Sequence, residues 1–174
     1  MDEKTQFLLN RMIHPEEKEA YRFADQLGEI LTEESAQAMI DLIKGDDWEK
    51  GYLASRAMSQ SNYSQAGLNA TIDAIFDKKN KSIQGAFTQI LERYELEDKF
   101  VDILRIYLFG NFKASQLAET YLNEVEFDIS PRTIRKAEKH WKHYLHNPED
   151  EGSVEIKKRF VEPMLQEIKD LFFD

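Results

Sequence analysis

The sequence predicts an all-α fold: a right-handed α-solenoid of about four antiparallel helix pairs with a capping helix at each end. Three observations carry this expectation. The 174 residues include only seven Gly and four Pro, and the stretches between them are rich in Ala, Leu, Ile, Glu, Lys and Gln, a composition that favours helix over a turn-dense β-fold. An apolar triplet spaced i, i+4, i+7 occurs as Ala36, Ile40, Ile43, returns 32 residues later as Leu68, Ile72, Ile75, and 32 later again as Phe100, Leu104, Tyr107. Turn-forming clusters at Gly45-Asp46-Asp47, Lys78-Lys79-Asn80 and Gly110-Asn111 separate these helices at matching intervals, with the residue types that cap helix ends.

In chain order, residues 1–15 form an N-terminal cap built on Phe7, Leu8, Leu9, Met12 and Ile13, ahead of Pro15. Helix-pair repeats then occupy 16–47, 48–80, 81–111 and 112–147. The fourth carries Ala137, Trp141 and Tyr144 as its triplet, after an insertion of about five residues. The partner helices repeat as Phe23-Ala24, Leu53-Ala54, Gly85-Ala86 and Leu117-Ala118, each alanine followed within a turn by Leu27, Met58, Ile90 or Leu122. A small residue before a bulky one lets neighbouring helices approach closely. A helix over 153–173 closes the chain, with Ile156, Phe160, Val161, Met164, Leu165, Ile168 and Leu171 on one stripe and Pro163 expected to kink or split it. One helix pair cannot bury both its faces, so stacking completes the core of a single domain over 1–174. An ordinary bundle of similar helices is the competing arrangement. Trp48, Phe76, Phe87 and Trp141 are expected in the core.

The segment Gly45-Asp-Asp-Trp-Glu-Lys-Gly-Tyr-Leu-Ala-Ser-Arg-Ala-Met58 resembles a HEAT repeat. Asp46 or Asp47 matches the turn acid of that family, Lys50 its basic residue, Ala54 its alanine and Met58 its large aliphatic. The period of 31–33 residues is shorter than the ~40–47 typical of that family. The resemblance implies a curved surface for binding macromolecules.

Catalytic chemistry is not predicted. There is no Gly-rich phosphate loop, no Gly-x-Ser-x-Gly elbow and no His-Glu-x-x-His, and no cysteine for a thiol nucleophile, Cys-ligated zinc or a disulfide. The carboxylates are spread along helix surfaces as solvated charge. His140 and His143 stand i, i+3 on a helix, a spacing that can hold a metal, with Glu138 or Glu149–Glu151 as the nearest further ligands. Exposed histidines beside Asn147-Pro148 are the simpler reading, so the expectation is a non-enzyme without metal or cofactor. No run approaches the ~20 apolar residues of a membrane span. Asp2 and Glu3 precede the first apolar group, unlike a signal peptide, which leaves the cytoplasm as the default compartment.

Charge is unevenly distributed. The whole chain carries a formal −10; residues 1–50 hold 13 acids against six Lys/Arg, a net −7, while residues 130–146 hold five Lys/Arg against one acid, a net +4. Ser130 as N-cap and Pro131 as first helical residue start a helix there. At 100° per residue, Arg132, Arg135, Lys136, Lys139 and His143 fall on one side and Ile134, Ala137, Trp141, Tyr144 and Leu145 on the other. These five basic positions are the candidate partner-binding residues, unless they simply pair with acids such as Glu119, Glu124 and Glu126. The acidic half, between Glu16 and Glu49, predicts a protein partner with a basic surface, as for an adaptor, inhibitor or immunity-type protein. The alternative is nucleic acid, with 114–122 and 130–146 as a helix-turn-helix whose basic helix 131–145 enters a groove. An eight-residue link is long for that motif, and the net negative charge disfavours phosphate.

Overall fold

Five of the helices begin where a side chain accepts one of their free amides, and those signals mark their starts. The computed structural model describes residues 1–173 and contains ten α-helices and no strand among them. Helix α1 (Glu3–Met12) starts at Asp2, whose carboxylate accepts the Thr5 amide at 2.9 Å. After α2 (Ala20–Gly28), α3 (Glu33–Lys44) opens with a capping box between Thr32 and Ser35. Asp47 caps α4 (Trp48–Ser59), Asn111 caps α8 (Phe112–Glu124) and Ser130 caps α9 (Pro131–His146) with Pro131 in the first turn. The others are α5 (Ser64–Phe76), α6 (Gln84–Ile90), α7 (Phe100–Phe109) and α10 (Val154–Phe173). No helix among the described residues is long and apolar enough to cross a membrane.

The chain falls into two compact units, Met1–Glu95 and the residues from Leu96 onward. The expected third helix pair is divided between them: α6 ends the first and α7 begins the second.

In the first unit α1 packs on α2, α2 on α4 and α4 on α6, while α3 packs on α4 and α5. The core comprises Leu27, Met39, Ile43, Met58, Leu68 and Phe87, all essentially without solvent exposure. Helices α2 and α4 come so close that a Cβ on Gly28 would lie 2.5 Å from the Ala57 carbonyl oxygen. The region after α5 differs from a regular helix pair. A 3-10 turn (Lys78–Ile83) precedes α6, which has only seven residues, and a second (Leu91–Arg93) follows it. Buried polar side chains hold this corner. Asn80 donates to the Ala74 carbonyl at 2.9 Å and Gln84 to that of Ile75 at 2.8 Å, which satisfies the free carbonyl end of α5. Deeper in the unit the Ser55 and Thr71 hydroxyls lie 2.7 Å apart, and the Tyr94 hydroxyl donates to the Ser55 carbonyl at 2.7 Å. Burial pushes the Tyr94 phenol up to about 12.

In the second unit α7 carries α8 and α9, and α10 packs on α9. Residues 125–130 lack regular structure. They are anchored by a hydrogen bond from the Asp128 backbone N–H to the Glu97 carbonyl at 2.8 Å and by the Phe127 ring, 5.4 Å from that of Phe100. Helix α10 continues through Pro163 as one element. Lys157 in its first turns reaches inward, donating to the carbonyls of Tyr107 and Leu108 at 2.8 and 2.9 Å and lying over the rings of Tyr107 and Tyr144. It thereby caps the C-terminus of α7, where the dipole favours a cation. Burial lowers its ammonium below the usual lysine range. The Tyr144 hydroxyl nearby is buried with no hydrogen-bond partner among the described residues.

Candidate functional site

The acidic N-terminal half folds around an open cleft of about 390 Å³. Its walls are the turn after α1, the start of α2 with Tyr21, and the first two turns of α4 with Trp48, Glu49 and Tyr52. Asp47 organises the α4 wall: its carboxylate accepts the Lys50 amide at 3.3 Å as N-cap and pairs with the Lys50 ammonium at 2.9 Å. These contacts, the ammonium foremost, hold the Asp47 carboxyl below the ordinary range. Trp48 follows in the first turn and keeps 39% of its surface exposed, and Tyr21 keeps 55%. The expectation of a core Trp48 is therefore corrected: as the first residue of α4 it has no preceding turn of its own helix to cover it, and the residue lines the cleft wall. Phe87 and Trp141 are buried and Phe76 partly so.

Below the cleft, α2 and α4 share a row of aromatic and charged groups. The rings of Tyr21 and Tyr52 meet at 6.1 Å and 65°. The Arg56 guanidinium lies over Tyr21 at 4.8 Å and bonds both oxygens of Asp25 at 2.7 and 2.8 Å. Gln60 adds a bond to Asp25 at 2.6 Å, and Arg93 approaches the same oxygen at 3.5 Å. Arg56 holds the Asp25 carboxyl below its usual range. A second guanidinium site is built alike: Arg11 lies 5.2 Å over the Phe23 ring and pairs with Glu17. In both, one cation is held jointly by an aromatic face and a carboxylate.

The five basic candidates lie in the other unit. Arg132, Arg135, Lys136, Lys139 and His143 are all exposed on one side of α9, while Ile134, Ala137, Trp141 and Tyr144 are buried on the opposite side. Leu145, expected on the apolar side, is exposed. Among the described residues no ion pair joins the four Arg and Lys to Glu119, Glu124 or Glu126; the one acid of α9, Glu138, pairs instead with Lys169 at 2.7 Å. The stripe is therefore a bare positive face. Helices α8 and α9 each pack on α7, with residues 125–130 strung between them.

Burial, and then the charge of Arg105, lower the His140 imidazole below its usual value, while His143 rests against Phe109 with ring centres 5.9 Å apart. No group of three or more His, Asp or Glu is placed to hold a metal among the described residues.

The sequence reading placed the acidic region but not its aromatic content. One signal was available: Tyr21 and Tyr52, and Asp25 and Arg56, are each 31 residues apart, so non-core positions recur at the repeat interval too. Comparison with known protein families, curated proteins and solved structures returned no match.

Proposed function

We propose that the protein is a non-enzymatic protein-binding module, an adaptor, inhibitor or immunity-type protein, whose acidic helical-repeat surface receives a basic partner. One observation carries this reading: the open cleft of the N-terminal unit displays two exposed aromatic rings, Tyr21 and Trp48, within a fifty-residue segment holding 13 acids against six bases. Exposed aromatics supply contact area and specificity at protein interfaces, and complementary charge accelerates encounter. The HEAT-like α-solenoid belongs to the same proposal. Its support is the packing of α2 on α4 and of α3 on α5, the contacts expected when successive helix pairs stack.

Affinity purification from the native host with mass spectrometry tests the function. The expected result is a protein partner released by moderate salt. Recovery of nucleic acid, with affinity falling steeply as salt rises, would overturn it. The second reading has its own observation, the bare positive face of α9. On that reading, reversing Arg135 and Lys139 to Glu abolishes nucleic-acid retention and leaves folding intact.

A further inference from the structure

We propose that Trp48 and Glu49 form a receptor for an arginine side chain carried on a basic segment of a partner protein; this rests on the protein-binding reading above and specifies its site. The first unit contains a pattern that the protein applies twice to its own arginines, once between α1 and α2 and once between α2 and α4. Arg11 is held between the Phe23 ring and the Glu17 carboxylate, and Arg56 between the Tyr21 ring and the Asp25 carboxylate. Trp48 and Glu49 supply the same two components, a ring and a carboxylate, on the wall of the cleft. Among the described residues, however, no cation lies over the Trp48 ring and no base pairs with Glu49. Of the other acids in the cleft, Glu17 is engaged by Arg11 and Asp47 by Lys50.

The occupant follows from the chemistry. Indole offers the strongest aromatic face for a cation, and a planar guanidinium can stack on it while bonding a carboxylate at its edge. A cleft of about 390 Å³ open to solvent admits a side chain with its flanking backbone. Lys18 also lines the cleft, without a carboxylate partner among the described residues. It opposes an incoming cation, which makes the sign of its contribution a test.

The chain has two tryptophans, Trp48 and the buried Trp141, so tryptophan-labelled full-length protein gives two indole N–H signals, assigned with Trp48→Phe. The probe is the capped peptide Gly-Arg-Gly-Arg-Gly, with its citrulline counterpart as a neutral isostere. The arginine peptide should move the Trp48 signal saturably and leave Trp141 in place, and the citrulline peptide should bind about tenfold more weakly. Glu49→Gln, an exposed change that does not threaten folding, should weaken binding about threefold, and Lys18→Glu should strengthen it about twofold. A Trp48 signal that does not move, or that moves equally with citrulline, overturns the receptor. A captured partner whose retention is indifferent to Trp48→Ala also overturns it while leaving the protein-binding function standing. Saturable arginine binding supports the receptor even where capture finds no protein partner, so the two readings fail separately.

Discussion

Asp25 and Arg56 join α2 to α4 through two parallel hydrogen bonds, from Nε and one Nη of the guanidinium to the two carboxylate oxygens, at 2.7 and 2.8 Å. Gln60 and Arg93 converge on the same carboxylate, so its loss leaves two arginines facing each other across a partly buried seam. Asp25→Asn should destabilise the protein by about 1 kcal/mol at neutral pH, a modest figure because the pair retains solvent access. The effect has a defined pH dependence. The folded carboxyl lies below its ordinary value of 3.8, so its contribution is present above that value and is lost as pH falls through the lowered one. Urea titrations of both proteins at pH 7 and pH 3 should show the gap narrowing in acid.

Gly28→Ala tests the close approach of α2 and α4. The added methyl would sit 2.5 Å from the Ala57 carbonyl oxygen, a backbone atom that cannot rotate away. A loss of about 1–3 kcal/mol is expected, measured by chemical denaturation with an unchanged helical circular-dichroism spectrum in water.

Alkali should destabilise the fold between about pH 10 and 12. Burial raises both the Tyr94 and Tyr107 phenols to about 12 from an ordinary 10.0. The unfolded chain therefore releases these protons first. Stability from the neutral phenols is complete below pH 10 and declines as pH climbs towards 12. Thermal melts at pH 8, 10 and 11 should fall progressively. Tyr94→Phe should flatten that decline while costing about 1 kcal/mol at pH 8, because the Ser55 carbonyl loses its donor.

Lys157→Met should cost about 2 kcal/mol, since the partly buried ammonium donates to the Tyr107 and Leu108 carbonyls at the end of α7, and Ser115 remains as a donor to Tyr107 alone. Denaturant titration checks the loss. Lys157→Arg should recover part of it, as a longer cation can still reach those carbonyls.

What the sequence made legible follows from which forces leave a periodic trace. Helix α9 is legible in the sequence, Leu145 apart, because burying Ile134, Ala137, Trp141 and Tyr144 requires a 3.6-residue repeat of apolar groups, and Ser130-Pro131 carries its own start signal. The helix at Gly85-Ala86 and Ile90 follows from the repeat, but its shortness and its 3-10 flanks do not. Its 3-10 surroundings are held by Asn80 and Gln84 bonding to carbonyls of α5, and a polar side chain buried by backbone bonding looks like any other polar residue in a pattern. Lys157 leaves no trace for the same reason: a lysine held inward by bonds to backbone carbonyls has the same place in the pattern as a surface charge. The cleft was hidden differently. Its walls come from two stretches of chain, around residues 12–21 and 47–53, and spacing within either says nothing of their convergence. Trp48 departs from the core expectation because its place directly after the Asp47 cap puts it at a helix end, where fewer neighbours can cover it.

The phenolic oxygen of Tyr144 gives the second unit a built-in margin for improvement. It is enclosed beside Lys157 and Trp141 yet bonds to nothing among the described residues, so the folded state bears a dehydration cost that no interaction offsets. Deleting that one atom, as Tyr144→Phe, keeps the ring stacking and removes the cost. The variant should melt at a higher temperature than the natural protein: a polar group in this core is worth more absent than present.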